Sequence, residues 1–287
     1  MHTPVEVTER ALAVVAQVKA DCTVALGGGS TTGLGKAIAL RTDLPQIAVP
    51  TTYAGSEATA IIGETRDGLK VTQRTLKVLP EVIVYDVDLT MSLSPALTAT
   101  SGMNAIAHAV EALYAQDQNP ITSLMAEEGI RALARALPAI IADPTAPESR
   151  SDALYGAWLC GTCLNAVGMA LHHKLCHTLG GTFDLPHAET HTVVLPHAAA
   201  YNAPAVPIAM KRIAAAIGAV DAPLGLFELA KRLGAPTSLS ALGMKADGID
   251  KAVGIAVKNP YWNPRPIESA GIRRLLDNAF HGRPPAA

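Results

Sequence analysis

The spacing of hydrophobic positions along the chain changes character near Ser94. Before that residue, short apolar runs rich in β-branched side chains predict buried strands, separated by polar or glycine-rich segments. The predicted strands lie at 22–26, 45–52 and 80–86, with a hairpin over 58–72 that turns at Asp67-Gly68. After Ser94 the apolar residues recur every three to four positions, as on one face of a helix. We therefore predict an α/β unit over 1–93 and an all-helical unit over 94–287.

Prolines and capping residues set the boundaries of the predicted helices. Thr3 followed by Pro4 is typical of an N-cap and first helical position, and opens a helix that continues to about Ala20. Nine helices are predicted in the second unit, at roughly 95–115, 120–141, 150–167, 171–178, 188–200, 205–217, 223–233, 247–257 and 267–280.

Composition and charge narrow the classes of ligand. With 49% hydrophobic and only 17% charged residues, a chain of 287 residues can bury a large core. A net charge of -2, with no run of lysine or arginine, argues against nucleic acid or membrane as a partner, so we expect a small-molecule ligand. No apolar run reaches the length of a membrane span, and the N-terminus lacks a secretory signal pattern. The four cysteines, including Cys160 and Cys163, which we expect to be buried helix residues, fit a reduced, cytoplasmic location.

A glycine-rich loop, Gly27 to Ser30, follows the first predicted strand. Glycines let a backbone approach a phosphate closely, and the N-terminus of the next helix offers unpaired N–H groups. The loop after the second strand adds hydroxyls at the same carboxyl edge of the sheet. We predict a cofactor cleft here; because the spacing is neither a dinucleotide fingerprint nor a P-loop, a plain tight turn is the alternative. The candidate cofactor-binding residues are Gly28, Gly29, Ser30, Thr51, Thr52, Tyr53 and Ser56.

Six of the nine histidines fall within residues 172–197. A spacing of four places His173 and His177 on one helical face, and Gly180-Gly181 predicts a break before His187. Imidazoles can bind a metal, transfer protons or pair with anionic groups near neutral pH. We expect the cluster to form a site, although a structural role is the alternative for any single member. We expect surface or structural roles for His172, His191 and His197.

Four motifs follow one another along the chain: GGGSTTGLGK, VPTTYAGSEAT, SGMNAIAHAVEALY and HHKLCHTLGGTFDLPHAETHTVVLPH. In this order and spacing they resemble the iron-containing alcohol dehydrogenase family, over nearly the whole chain. The resemblance implies a dehydroquinate synthase-like fold, with the active site in a cleft between a nucleotide-binding α/β domain and a helical domain. Family members carry a further βαβ portion ahead of the first helix of this chain, so the parallel sheet is expected to be incomplete.

The histidine segment and the tail NPYWNPRPI resemble one branch of that family most. This implies NADH- or NADPH-dependent reduction of the carbon–carbon double bond of maleylacetate to 3-oxoadipate, in the breakdown of aromatic compounds. We expect a cytoplasmic homodimer acting on this small dicarboxylate. The candidate catalytic residues are His108, His173, His177 and His187, with His177 as the expected acid.

The expected metal and substrate contacts depend on Asn104. Metal-dependent members have an aspartate at this position, and a neutral amide is a poorer ligand for a divalent cation. His108, His173 and His187 could still hold iron or zinc, so a metal is allowed but not required. Asn104 is instead a candidate for binding substrate, as is Lys174, for which a plain surface charge is the alternative.

Three rival functions stay open at this point. The first is a metal-dependent alcohol dehydrogenase of the same family, against which Asn104 argues. The second is a lyase related to dehydroquinate synthase, against which the asparagine and the tail argue. The third is a non-catalytic binding or oligomerisation module, which the expected incomplete sheet motivates.

Overall fold

The computed structural model describes residues 3–66, 69–258 and 260–286, and within them all strands precede the long helical part. The strands are β1 (Thr3–Pro4), β2 (Thr23–Gly27), β3 (Gln46–Pro50), β4 (Ile61–Arg66), β5 (Leu69–Arg74) and β6 (Val82–Ile83). Two helices, α1 (Val5–Val18) and α2 (Gly29–Thr42), lie among them.

The strands form two three-stranded sheets, in the orders β2-β3-β6 and β1-β4-β5. The first sheet is parallel, and its register places Gly27 opposite Pro50, so the loops after β2 and β3 leave the same edge. β4 and β5 pair antiparallel as the predicted hairpin does, while the predicted turn at Asp67-Gly68 lies outside the described residues. Among the described strands β2 has a neighbour on one side only, and its Val24 and Leu26 are exposed.

Three predictions for the first unit were wrong in detail. Thr3 does not cap α1, because Thr3 and Pro4 pair in parallel with β4, and Pro4 is the N-cap. The helix ends at Val18 and not near Ala20, since Lys19 adopts the left-handed conformation. The strand predicted at 80–86 has regular ladder pairing only at Val82–Ile83.

All nine helices predicted for the second unit are present. They are α3 (Pro95–Ala112), α4 (Pro120–Ala142), α5 (Pro147–Ala166), α6 (Leu171–Phe183), α7 (His187–Asn202), α8 (Pro207–Ile217), α9 (Ala222–Arg232), α10 (Gly248–Lys258) and α11 (Ser269–His281). Proline at the first position and a capping side chain before it start α3 and α4: Ser94 accepts from Leu97 N, and Asn119 from Thr122 N. The division of the chain at 93/94 into two domains stays a prediction.

The largest helical difference concerns the break expected at Gly180-Gly181. α6 continues through both glycines to Phe183 and ends where Asp184 adopts a positive φ. A glycine weakens a helix by only about 1 kcal/mol relative to alanine. The buried Leu175 and Leu179 on the same helix offset that cost through their packing.

Two apolar cores hold the helices in place. In the larger one, α3 is central and almost every side chain from Thr98 onward is buried against α4, α5 and α7; the expected burial of Cys160 and Cys163 is confirmed there. The smaller core joins α6 and α7 to α10 and α11. Because α3, α6 and α7 are thus fixed along their length, the histidines that they carry have defined positions.

The loop after β3 lies directly on α5. Gly55 has a φ of 78°, and a Cβ built on Gly161 would lie 2.3 Å from the carbonyl oxygen of Gly55. A side chain fits at neither position without moving the backbone. This contact joins the predicted cofactor loop to the helical part.

By length and composition alone, the apolar stretch Pro207–Arg232 could span a membrane, but this is weak evidence, because buried helices meet the same test. The stretch consists of two helices, α8 and α9, separated at Gly218, and half of it is buried.

His197 on α7 is buried, and neither ring nitrogen has a hydrogen-bond partner among the described residues. Burial lowers the pKa of His197 to about 4, whereas an unfolded histidine takes up a proton near pH 6.5. The folded state therefore loses stability relative to the unfolded state as the pH falls from 6.5 towards 4. We expect His197→Leu to reduce the loss of unfolding free energy between pH 7.5 and 5 by ~2 kcal/mol in urea titrations. The exposed His281, replaced in the same way, is the control; an equal pH dependence in the wild type and His197→Leu would contradict the assignment.

Candidate active site

A cavity of about 480 Å³ lies between the loops after β2 and β3 and the helices α3, α6 and α7. The α/β part contributes Gly28, Gly29, Ser30, Thr52 and Ser56. The helices contribute Asn104, His108, His173, His177, His187 and His191. The structure thus brings most of the predicted cofactor, substrate and catalytic residues to one place.

The glycine loop and the N-terminus of α2 form one end of the cavity. Gly28 caps α2 in an extended conformation, so the first N–H groups of the helix are available to an anion. Thr51 N donates to Gly27 O over 3.0 Å, which holds the two loops side by side. A Cβ on Gly28 would lie 3.0 Å from the Thr52 methyl group, so glycine at this position permits the close approach of the loops.

Three predicted site residues lie elsewhere. Tyr53 is fully buried in the larger core, where its hydroxyl accepts a hydrogen bond from Arg150, so its ring does not line the cavity. Thr51 joins the two loops through its backbone but is also not a lining residue. The Lys174 ammonium lies 5.5 Å from the centre of the Tyr261 ring, and Tyr261 itself lines the cavity.

Lys36, which the sequence analysis did not single out, lies beneath the loop that follows β3. Its Nζ donates to the carbonyl oxygens of Ser56, Thr59 and Ile61 over 2.6 to 2.9 Å, and to Thr59 Oγ1. Burial lowers the pKa of Lys36 to about 7, with the buried Glu57 carboxylate acting in the opposite direction. The side chain therefore fixes the shape of this loop from below.

Glu111 on α3 is the second residue that the sequence analysis missed. Its carboxylate, fully buried, accepts hydrogen bonds from the backbone N–H groups of Ala170 and His172 over 2.8 and 2.7 Å, and so caps the start of α6. One oxygen also lies 2.7 Å from His173 Nδ1. Because a carboxylate can only accept, this nitrogen carries the proton, and His173 Nε2 has no partner among the described residues.

The histidine rings pack closely against one another. The His108 and His173 ring centres are 5.2 Å apart, and those of His173 and His191 are 5.1 Å apart. Burial, followed by the influence of neighbouring histidines, lowers the pKa of His108, His172 and His191 well below the ordinary value. These three rings are therefore neutral at pH 7.

Of the surface and structural roles expected for three histidines, the surface alternative was wrong, because His172, His191 and His197 are at most 2% exposed. His191 lines the cavity, and its Nδ1 lies 3.0 Å from His172 Nε2. The sequence signal for His191 was its spacing of four from His187, which places both on one face of α7.

The tail closes one side of the cavity. Tyr261 lines it, and the phenol oxygen lies 3.1 Å from His177 Nδ1. Burial, and secondarily Glu111, raises the pKa of Tyr261 above its ordinary value, so the hydroxyl keeps its proton and can donate to His177.

The predicted metal ligands line the cavity without forming a compact group. His108, His173 and His187 all line the cavity, and Asn104 Oδ1, His108 Nδ1 and His173 Nε2 are buried without a partner among the described residues. The ligand atoms of His108, His173 and His187 nevertheless do not all lie within 4.8 Å of one another. In the described part of the chain only His172, Cys176 and His191 meet that distance. With a neutral amide at position 104 as well, the set does not fit a tightly held divalent ion.

Comparison with known proteins identifies the class. The family description "Iron-containing alcohol dehydrogenase" matches residues 1–87, and "Fe-containing alcohol dehydrogenase family, C-terminal" matches residues 98–280. The chain belongs to the iron-containing alcohol dehydrogenase family, and the predicted α/β and helical architecture is confirmed.

Individual relatives lie within one branch. The chain is 62% identical to a maleylacetate reductase of Sphingobium indicum over 285 residues, which is 99% of this chain and 81% of that relative. It is similar to the crystal structure of maleylacetate reductase from Agrobacterium tumefaciens, with a TM-score of 0.96 and 59% identity over 99% of this chain and 81% of the other. A more distant structure, sulfoacetaldehyde reductase from Bifidobacterium kashiwanohense in complex with NAD+, is 25% identical with a TM-score of 0.86, over 96% of this chain and 80% of the other.

Proposed function

We propose that this chain is a maleylacetate reductase, an oxidoreductase that reduces the carbon–carbon double bond of maleylacetate with NADH or NADPH to give 3-oxoadipate. The observation that carries the proposal is the cavity, where a helix N-terminus at Gly28 and Gly29 lies opposite a cluster of imidazoles. A phosphate-bearing cofactor fits the first end and an anionic keto acid fits the second. The named relatives, at more than half identity over nearly the whole chain, support the same substrate.

A bound nicotinamide would supply the hydride, while the protein supplies position and charge. In this proposal the N-terminus of α2 and the hydroxyls of Ser30, Thr52 and Ser56 hold the cofactor. In its doubly protonated form, His173 is oriented through Nδ1 by Glu111 and donates from Nε2 to the substrate ketone, where negative charge develops when hydride adds to the conjugated alkene. His108, His187 and Asn104 complete the pocket around the substrate.

His177 is the proposed proton donor to the carbon next to the ketone. It lines the cavity, and its Nδ1 accepts a hydrogen bond from the Tyr261 hydroxyl, which leaves the ring proton on Nε2, available to the substrate. Lys174 lies outside the cavity wall but beside Tyr261, and we propose that its charge attracts a substrate carboxylate to the entrance.

We expect His177→Ala to lower kcat by about 10² to 10³-fold, because a positioned acid contributes about this much to proton transfer. NADH affinity, measured by fluorescence titration, should stay the same, since the glycine loop is untouched. His281→Ala, at an exposed position, is the control and should react like the wild type. Unchanged turnover in His177→Ala would remove this residue from the mechanism.

The experiment that tests the function is NADH and NADPH consumption by the purified chain with maleylacetate, with and without a strong chelator. We expect turnover that the chelator does not change, because the predicted metal ligands do not form a compact set and Asn104 replaces the acidic ligand. Loss of turnover that Fe²⁺ or Zn²⁺ restores would favour the metal-dependent alternative. Activity with simple alcohols but none with maleylacetate would overturn the substrate assignment.

The oligomeric state and the location of the chain complete the proposal. The substrate is a small molecule, and we propose a homodimer in the cytoplasm, in line with the resemblance and with the small number of cysteines, four in 287 residues. Light scattering of the purified chain measures its mass directly, and 29.8 kDa would contradict the dimer.

A further inference from the structure

Three side chains of types that can bind a metal lie together between α6 and α7. The proposed reaction does not use them as a set. His172 and Cys176 are one turn apart on α6, and His191 is on α7. One ligand atom from each lies within 4.8 Å of the others. His172 Nε2 is 3.0 Å from His191 Nδ1 and 3.7 Å from Cys176 Sγ. Nitrogen and sulfur ligands of one tetrahedral zinc ion are about 3.3 to 3.6 Å apart, so only small shifts would admit an ion.

We propose that His172, Cys176 and His191 form a binding site for a thiophilic divalent ion, with Zn²⁺ as the natural candidate and Cd²⁺ as a probe. One thiolate and two imidazoles are the ligands that such ions prefer, whereas Mg²⁺ and Ca²⁺ prefer oxygen. Three protein ligands leave a fourth position open to water or another ligand. This set shares no residue with the imidazoles predicted from the family, at 108, 173 and 187.

The surroundings of the trio suit a cation. The Glu111 carboxylate accepts from His172 N over 2.7 Å, so a negative charge lies beside the site. An ion would replace the hydrogen bond between His172 Nε2 and His191 Nδ1, while the outer nitrogens, His172 Nδ1 and His191 Nε2, have no partner among the described residues to lose. All three side chains are buried, and His191, which lines the cavity, gives the ion a route from solvent.

We expect metal binding at this site to affect the proposed reaction, and this expectation rests on the proposed function. His191 lines the cavity, and its ring centre lies 5.1 Å from that of His173, so an ion bound to His191 would change the cavity wall beside a proposed catalytic residue. We therefore expect Zn²⁺ and Cd²⁺ to inhibit maleylacetate reduction. Failure of the proposed function would remove only this effect, because metal binding is measured separately.

The test is titration of the full chain with Cd²⁺, followed by the ultraviolet charge-transfer absorbance of a cadmium–thiolate bond. A Cys22→Ser background removes the exposed thiol. We expect one equivalent of Cd²⁺ to give the band, and Cys176→Ser to lose it. Cys163→Ser, which alters another buried helical thiol, should keep the band, as should His108→Ala. No band, or a band that survives Cys176→Ser, overturns the proposal.

A second measurement does not depend on the folding of a variant. X-ray absorption of the Zn²⁺-loaded wild-type chain counts the ligand atoms directly. We expect one sulfur at about 2.3 Å and at least two imidazole nitrogens at about 2.0 to 2.1 Å. A shell of nitrogen and oxygen alone would place the ion on other residues and overturn the proposal.

Discussion

Glu111→Gln is expected to lower kcat for maleylacetate by about 10²-fold, the upper end of the loss when a residue that orients a metal-binding histidine is removed, because Glu111 holds the His173 ring in the same way. The carboxylate accepts three N–H groups, from Ala170, His172 and His173 Nδ1. A glutamine has only one acceptor oxygen, so its NH₂ group must face at least one of these donors. The His173 ring then loses its fixed tautomer and orientation.

A positioning role is separable from a general loss of structure. NADH affinity should stay within about twofold of the wild type, since the glycine loop lies on other elements, whereas kcat falls. Glu128→Gln, which breaks an exposed ion pair with Arg131, is the matched control and should change neither quantity. If kcat is unchanged in Glu111→Gln, the carboxylate only caps α6. If NADH binding and kcat fall together with the melting temperature, the effect is structural.

Lys36→Met is expected to have the largest effect on stability, about 3 to 5 kcal/mol of unfolding free energy. The substitution removes the donor to the carbonyl oxygens of Ser56, Thr59 and Ile61 and leaves Glu57 buried without its neighbouring cation. A buried polar group without a partner lowers the free energy of unfolding, because it has lost its hydrogen bonds to water without replacing them. The loop that follows β3 forms part of the cofactor end of the cavity, so NADH affinity should fall by at least about tenfold, or 1.4 kcal/mol.

Urea unfolding and NADH titration measure the two effects. Lys77→Met is the matched control, since this lysine is exposed and pairs with Asp43 at the surface. This substitution should lower the unfolding free energy by less than about 1 kcal/mol and leave the NADH affinity unchanged. An equal unfolding midpoint for Lys36→Met and Lys77→Met would show that the loop does not depend on the buried amine.

Local sequence signals predicted the helices well and the polar contacts between distant segments poorly. α3 and α4 began where predicted, because Ser94-Pro95 and Asn119-Pro120 specify a helix start within a few residues. The break expected at Gly180-Gly181 was wrong because tertiary packing outweighed local propensity. Local propensity decides helix ends only where long-range packing does not.

Glu111 and Lys36 were missed for a different reason. Each is a single charge in an otherwise apolar helical run, AIAHAVEAL and GLGKAIAL, and such a charge is buried only when it has partners. That signal was present in the sequence. Their partners lie between 20 and 62 residues away, however, so spacing along one helix does not identify them.

The contact between Gly55 and Gly161 limits how this protein can vary. A methyl group on residue 161 would overlap the carbonyl of residue 55, and at residue 55 the positive φ also disfavours any side chain. Neither glycine can be replaced while the backbone of the other stays in its present position. In related sequences we expect the two positions to change together or not at all, and a library that randomises only one of them should yield almost no folded alternatives to glycine.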